Sequence, residues 1–421
     1  IKVWDLQTDF RANAPGTVTL AQYFKQNGYH AVGIGKIFHN TIPDSLSWSE
    51  ELHIKGYPFD PDAVYRAPEN VAYLEERKRQ IINEGKQDRY IDQLGEWYLK
   101  AVATEIVDAP DNVYYDGAQT DMAIEKLPEL KERQQPFFLA VGYYRPHLPF
   151  NAPKKYWDMY NRAEIPLPEN PAPPQNSPLM AINTLRELRG YSDFKETPHP
   201  KDGQLKEAQT RRLRHGYFAS VSYVDAQVGR LLEALERLGL RENTIIVLWG
   251  DHGWKLGELG SWCKMTNYEI DTRAPLIISA PGVSSNGQKI NRLVEFVDIY
   301  PTLCELAGLE IPQRLEGISA VPLLENPHRP WKKAVFSQFL REGIWKAPDG
   351  REYMGYAIRT ERYRYVEWLD WENKTYIARE LYDHETDPQE SNNVAELPEN
   401  AEIVQQLAAQ LKAGWPAAKP E

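Results

Sequence analysis

The feature that most constrains this chain is a helix pattern running straight into a buried-strand pattern. Leu213, Tyr217, Val221, Val224, Val228, Leu231, Leu235 and Leu238 recur at intervals of three and four, which keeps one apolar stripe on one side of an α-helix. Gly239 then supplies a helix stop. The following Thr244–Trp249 reads Thr-Ile-Ile-Val-Leu-Trp, apolar and β-branched without alternation, as a strand covered on both faces requires. Phe137–Gly142 repeats the pattern after a helical stretch from Asp116 to Arg133. Pro275–Ser279 is a third strand, and Val294–Leu306 reads as a helix closed by Gly308. Helices alternating with buried strands imply an α/β fold, a large mixed and mostly parallel sheet with helices on both faces.

From about residue 325 the pattern changes. Shorter strands at Ala334–Phe339, Gly355–Arg359 and Tyr363–Trp368, with a helix near 401–413, predict a smaller C-terminal α+β domain with an antiparallel sheet. The expected division is 1–325 and 326–421, in keeping with a length of 421 residues. Residues 40–95, ahead of a short helix near 90–104, and the proline-rich 150–205 show little periodicity. Long irregular segments in compact proteins tend to be walls or lids of sites.

Charge and composition narrow the function. The net charge is −11, with no Lys/Arg block, which argues against nucleic-acid binding through a general electrostatic footprint. An anionic ligand would need a local cationic pocket. No apolar run approaches the roughly 20 residues of a membrane-spanning helix. Cys263 and Cys304 lack zinc-ligand spacing and are either two structural thiols or one bridge.

In open α/β sheets ligands sit beyond the carboxyl ends of the strands, and two strands here end in polar clusters. Gly250-Asp251-His252-Gly253-Trp254 follows the strand at 244–249. Asp251 and His252 offer a carboxylate oxygen and an imidazole nitrogen for a metal, and the plainer alternative is a turn with a capping Asp. Tyr143–Phe150 follows the strand at 137–142, with Pro146 and Pro149 stiffening the backbone around His147. A rigid His suits proton transfer to a leaving group, whereas the alternative is a histidine packed among aromatics. Lys36 and His39 lie three residues apart and would share a face if their turn is helical. Each lysine alone reads as a solvated surface residue. Lys36 and Lys264 facing one pocket with these histidines would instead form a basket for sulfate or phosphate. Arg145, beside His147, would hold a substrate carboxylate or pair with an acid of the protein itself.

Taken together, Gly35–His39, Phe137–Phe150, Tyr217–Arg230 and Asp251–Glu258 resemble a sulfatase of the alkaline-phosphatase superfamily. The Asp-His pair followed by Gly253 and Trp254 is most similar to the iduronate-2-sulfatase branch, and Glu380–Pro388 with Asn392-Asn393-Val394 resembles the closing motif. The resemblance runs from near residue 1 to about residue 400. It implies an alkaline-phosphatase-like fold and removal of sulfate from a sulfated saccharide, a uronate 2-O-sulfate of a glycosaminoglycan. It further implies a periplasmic, secreted or lysosomal location, and calcium rather than magnesium. The implied nucleophile is a formylglycine made from the cysteine of a Cys-x-Pro-x-Arg motif. On matching positions, Asp251 and His252 would enter the calcium shell and Lys36 and Lys264 would bind sulfate oxygens. His39 would support the formylglycine hydrate, and His147 would protonate the departing alcohol.

The chain departs from the family at the nucleophile. Neither Cys-x-Pro-x-Arg nor Ser-x-Pro-x-Arg occurs: Cys263 precedes Lys264-Met265-Thr266 and Cys304 precedes Glu305-Leu306-Ala307. The family's paired N-terminal aspartates are missing too. Both precede the segment matched by Ile1–Gly35, so the expectation is a fragment whose nucleophile lies upstream and which has no sulfatase activity by itself. Competing expectations are a phosphatase or phosphonate monoester hydrolase of the same superfamily, and a non-catalytic protein binding sulfated glycans.

Overall fold

A computed structural model describes residues 3–5, 8–39, 42–55, 61–85, 100–343 and 346–420. The chain forms two compact units, one of residues 1–167, 187–197 and 205–242, the other of 168–186, 198–204 and 243–421.

In the first unit the strands are β1 (His30–Gly35), β2 (Glu50–Leu52), β3 (Thr104–Val107), β4 (Phe137–Gly142) and β5 (Phe150–Pro153). β2, β1 and β4 form a parallel sheet in that order, with β1 and β4 paired from His30 and Phe137 through to Gly35 and Gly142. Side chains alternate between faces. Val32, Ile34, Phe137, Leu139 and Val141 pack with Ala123 and Leu130 of the Tyr115–Glu132 helix. Ala31, Phe138 and Ala140 pack with Ala21 and Trp48 on the other side. β1 is buried and β4 partly buried on both faces, which is why β4 reads as an unbroken apolar run, and full burial of an aliphatic such as Val32 or Ile34 contributes roughly 1.5–3 kcal/mol. Gly33 is required in β1, because a Cβ there would lie 2.7 Å from the Trp48 ring.

The helix anticipated at 213–238 spans Glu207–Arg237, and Gly239 closes it at φ +63° with its N–H on the Glu236 carbonyl. A 16-residue helix, Pro68–Asn83, lies in a stretch that reads as irregular. Its buried side is only Asn70, Leu74 and Ile81, too thin a stripe to stand out among charged residues. Of the helix suggested near 90–104, residues 90–99 lie outside the described residues, and Thr104 opens β3, paired parallel to β5.

In the second unit the strands are β6 (Ile246–Trp249), β7 (Lys255–Leu256), β8 (Trp262–Cys263), β9 (Leu276–Ser279), β10 (Ala334–Arg341), β11 (Tyr353–Thr360), β12 (Tyr363–Asp370) and β13 (Tyr376–Asp383). β6 pairs antiparallel with β9, not in a parallel sheet, and among the described residues β9 is its one partner. Trp249 and Ile277 are 43% and 60% exposed. β10 to β13 form an antiparallel meander in sequence order. Tyr353, Ala357, Val366, Trp368 and Tyr382 face Met180, Leu259 and Tyr268, while Ile358, Tyr365 and Leu381 face Val404 and Leu407 of the Ala401–Ala413 helix. The anticipated helix at 294–306 is a 3₁₀ turn, Phe296–Asp298, leading into Ile299–Leu306. Cys263 and Cys304 are buried and unbridged, which removes the disulfide alternative. Among the described residues no helix is long and apolar enough to cross a membrane.

Candidate active site

The site is built from strand ends. β1 and β4 finish in register at Gly35 and Gly142, where Gly35 turns at φ +83° and a Cβ on Gly142 would lie 2.0 Å from the Lys36 carbonyl oxygen. Two glycines therefore let Lys36 leave the sheet beside the start of the 143–150 loop. The Lys36 N–H donates to the Gly142 carbonyl at 2.9 Å, and its Nζ lies 5.3 Å from the Tyr144 ring centre. Residues 36–38 form a bend and not a helical turn, so Lys36 and His39 do not share a helical face. His39 is half-buried just after that bend.

The 143–150 loop hangs on a buried carboxylate that sequence reasoning did not single out. Asp116 accepts the Tyr144 N–H at 2.7 Å and the Arg145 N–H at 3.3 Å. Burial pushes its carboxyl up, opposed by the Arg145 charge and the two N–H groups. The Arg145 guanidinium is buried and donates from Nε to the Asn151 carbonyl at 3.0 Å and from Nη1 to the His147 carbonyl at 3.1 Å. It thus ties the loop across His147. The His147 Nδ1 lies 2.6 Å from the Leu148 carbonyl oxygen, and Nε2 lies 2.9 Å from Oε1 of buried Glu187. Lys36, Arg145 and His147 thus gather in the first unit with Asp116 and Glu187. No local signal marks Glu187, which sits in the irregular 150–205 stretch.

A second group forms in the other unit, where β6 ends in the turn to β7. Gly253 is required there, since a Cβ would lie 1.9 Å from the Ile270 carbonyl oxygen. The His252 Nδ1 is 2.8 Å from the Gly253 carbonyl oxygen, so Nδ1 carries a proton and Nε2 is the nitrogen left to offer a lone pair when the ring is neutral. That Nε2 lies 3.6 Å from Oδ2 of Asp251, a carboxylate 69% exposed. The His252 ring stacks on Trp254 with centres 6.0 Å apart, and the Lys264 Nζ lies 4.8 Å from the Trp254 centre. Asn183 donates to the Lys264 carbonyl. Asp251, His252 and Lys264 therefore collect around Trp254.

The donor chemistry fits a cation in part. Asp251 and His252 direct an oxygen and a nitrogen lone pair within reach of one ion, but calcium takes six to eight ligands, mostly oxygen. Among the described residues, the one cluster of three potential ligands is elsewhere, at Glu269, His384 and Glu390. Arginines fill that cluster. Arg364 bonds Glu269 and, at 2.7 Å, Glu390, while Arg359 reaches Glu269 at 3.0 Å. Although burial raises it, the Glu269 carboxyl is held below its ordinary value by Arg364 and Arg359, as an ion-pair network requires.

Residues 6–309 match the sulfatase family, and residues 257–415 match the family of the N-sulphoglucosamine sulphohydrolase C-terminal region. The chain belongs to the sulfatase family and is a sulfuric-ester hydrolase by class. It is 31% identical over 455 residues to iduronate 2-sulfatase of Mus musculus, covering 93% of this chain and 79% of that protein. Two solved structures share the fold. One, in complex with its substrate D-glucosamine-2-N,6-O-disulfate, has a TM-score of 0.68 at 21% identity, covering 98% of this chain and 85% of its own. The other, a phosphonate monoester hydrolase from Silicibacter pomeroyi, has a TM-score of 0.71 at 22% identity, covering 99% and 82%.

Proposed function

We propose that this sulfatase removes the 2-O-sulfate of a uronate in a glycosaminoglycan, from a periplasmic, secreted or lysosomal location. The reading gives residues 1–325 the catalytic role and treats 326–421 as a C-terminal subdomain. What supports the choice of sugar is the similarity to iduronate 2-sulfatase over 93% of the chain. The observation that carries the chemistry is His147, whose two ring nitrogens both face acceptors, so that the ring is arranged as a proton donor.

The roles follow residue by residue. Lys36 and Lys264 supply positive charge to sulfate oxygens as negative charge spreads during S–O cleavage. His147 gives its proton to the departing alcohol oxygen, a poor leaving group unless protonated. Asp251 and His252 would hold calcium, which supplies Lewis-acid charge to the sulfate. Were a formylglycine hydrate to supply the attacking oxygen, as the family resemblance implies, His39 would support it. Arg145 holds the loop under His147, and its part in binding a sugar carboxylate belongs to the same proposal.

The test uses the natural full-length protein, mapped by mass spectrometry for formylglycine and assayed with calcium. Sulfate release from a 2-O-sulfated uronate disaccharide is expected to exceed turnover of an aryl sulfate and of a phenyl phosphonate monoester. Preference for the phosphonate would overturn the reading in favour of a phosphonate hydrolase. Binding of the disaccharide without turnover would leave a glycan-binding protein.

A further inference from the structure

We infer that Glu187 is a positioning residue for the leaving-group acid, holding the His147 ring in its doubly protonated form between turnovers. The inference rests on the reading of His147 as that acid. A peptide carbonyl has no hydrogen to give, so the 2.6 Å contact to Leu148 places a proton on Nδ1. The 2.9 Å contact from Nε2 to Glu187 Oε1 needs a second proton, because without it a ring lone pair would face a carboxylate lone pair. The pair thus stores one proton more than a neutral ring beside a carboxylate.

The surroundings favour this. Glu187 is buried, where a charge-assisted bond is stronger than in water. The charged groups around the ring act at different points. Asp116 binds the loop through the Tyr144 and Arg145 N–H groups, Arg145 binds the His147 carbonyl, and Glu187 reaches the ring nitrogen itself. When the S–O bond breaks, its electron pair goes to the alcohol oxygen and the Nε2 proton follows. The ring is left neutral with Nδ1–H on Leu148, and a solvent proton restores the pair.

The experiment compares the natural full-length enzyme with Glu187→Gln and Glu187→Asp. The ring ¹⁵N shifts of His147, assigned with His147→Ala, are followed against pH. The midpoint in Glu187→Gln should fall by about one pH unit or more, as loss of an adjacent opposite charge predicts, and Glu187→Asp should recover most of it. The alkaline limb of kcat/KM for the disaccharide should move down with it, whereas 4-nitrophenyl sulfate, whose leaving group needs no proton, should lose much less. An unmoved midpoint with equal losses on both substrates would make Glu187 merely structural and overturn the inference. If His147→Ala costs both substrates equally, the reading of His147 as the acid fails and the inference with it. The midpoint comparison separates the two failures.

Discussion

At the scale of single residues, buried charge decides which substitutions matter. Lys255 is fully buried, with Nζ bonded to Asp271 and 3.1 Å from the Thr266 hydroxyl, and burial pushes its ammonium pKa down against the pull of Asp271. Lys255→Ala leaves the Asp271 charge buried without its cation, so unfolding in urea should show a loss of about 3–5 kcal/mol. Lys255→Met combined with Asp271→Leu should lose clearly less, because no charge is then stranded. Asp116 carries a pH signature. Burial raises its folded-state pKa, so the stability it contributes is complete below the ordinary carboxylate range and is lost as pH rises through the raised value. Asp116→Asn cannot ionise, so the difference in urea midpoint between variant and wild type should shift in the variant's favour as pH rises above about 4. Neither Asp116 nor Glu187 was legible as a site residue, for the same reason. Asp116 meets Tyr144 28 residues on, and Glu187 meets His147 from a segment without periodicity. Lys36, His147, Asp251, His252 and Lys264 were legible as candidates because strand-end position and motif are properties of the local chain.

At the scale of elements, periodicity was informative wherever one environment persisted along a segment. The Glu207–Arg237 helix shows its burial in its own spacing and β4 in its unbroken apolar run, whereas β1, two of whose six residues are glycine, was not singled out. Pairing direction was not legible, since the apolar run at β6 records that a strand can be covered, and not that an antiparallel β9 would be its neighbour. β13 escaped because Tyr376–Asp383 mixes polar and apolar residues, its buried positions being Glu380, Leu381 and Tyr382. Glu380 is accommodated there by bonds from Trp368 at 2.8 Å and Tyr382 at 2.7 Å. The glycines of β1 and β4 give the element-scale prediction. Gly33→Val places a Cβ 2.7 Å from Trp48, and overpacking of this kind should cost about 1–3 kcal/mol in a thermal melt. Gly142→Ala meets backbone instead, 2.0 Å from the Lys36 carbonyl, and a backbone cannot rotate away. It should therefore displace Lys36 and lower kcat/KM for sulfate esters by more than its effect on the melting temperature explains. Equal activity in the two proteins at matched folded fraction would show that Lys36 does not depend on the strand-end glycines.

At the scale of the whole molecule, an acidic chain that acts on anionic esters must concentrate cations locally against a net charge of −11. Lys36, Lys264 and a bound metal are the means proposed here, and the metal is the one whose contribution can be read on the folded protein without turnover. A ligand that binds only the native state stabilises it by RT ln(1 + [L]/Kd), about 2.7 kcal/mol at a hundredfold excess over Kd. Calcium titrated into the chelator-treated full-length protein should therefore raise the unfolding midpoint progressively. Magnesium should raise it less, since it demands near-ideal octahedral geometry and gives up its waters reluctantly. Asp251→Ala with His252→Ala removes both donors, and since the Asp251 carboxylate is 69% exposed the variant should still fold while losing most of the calcium response. Should the double variant keep the full calcium-dependent shift, the ion is held elsewhere in the molecule, and the assignment of this strand-end pair as metal ligands fails whatever the activity of the variant.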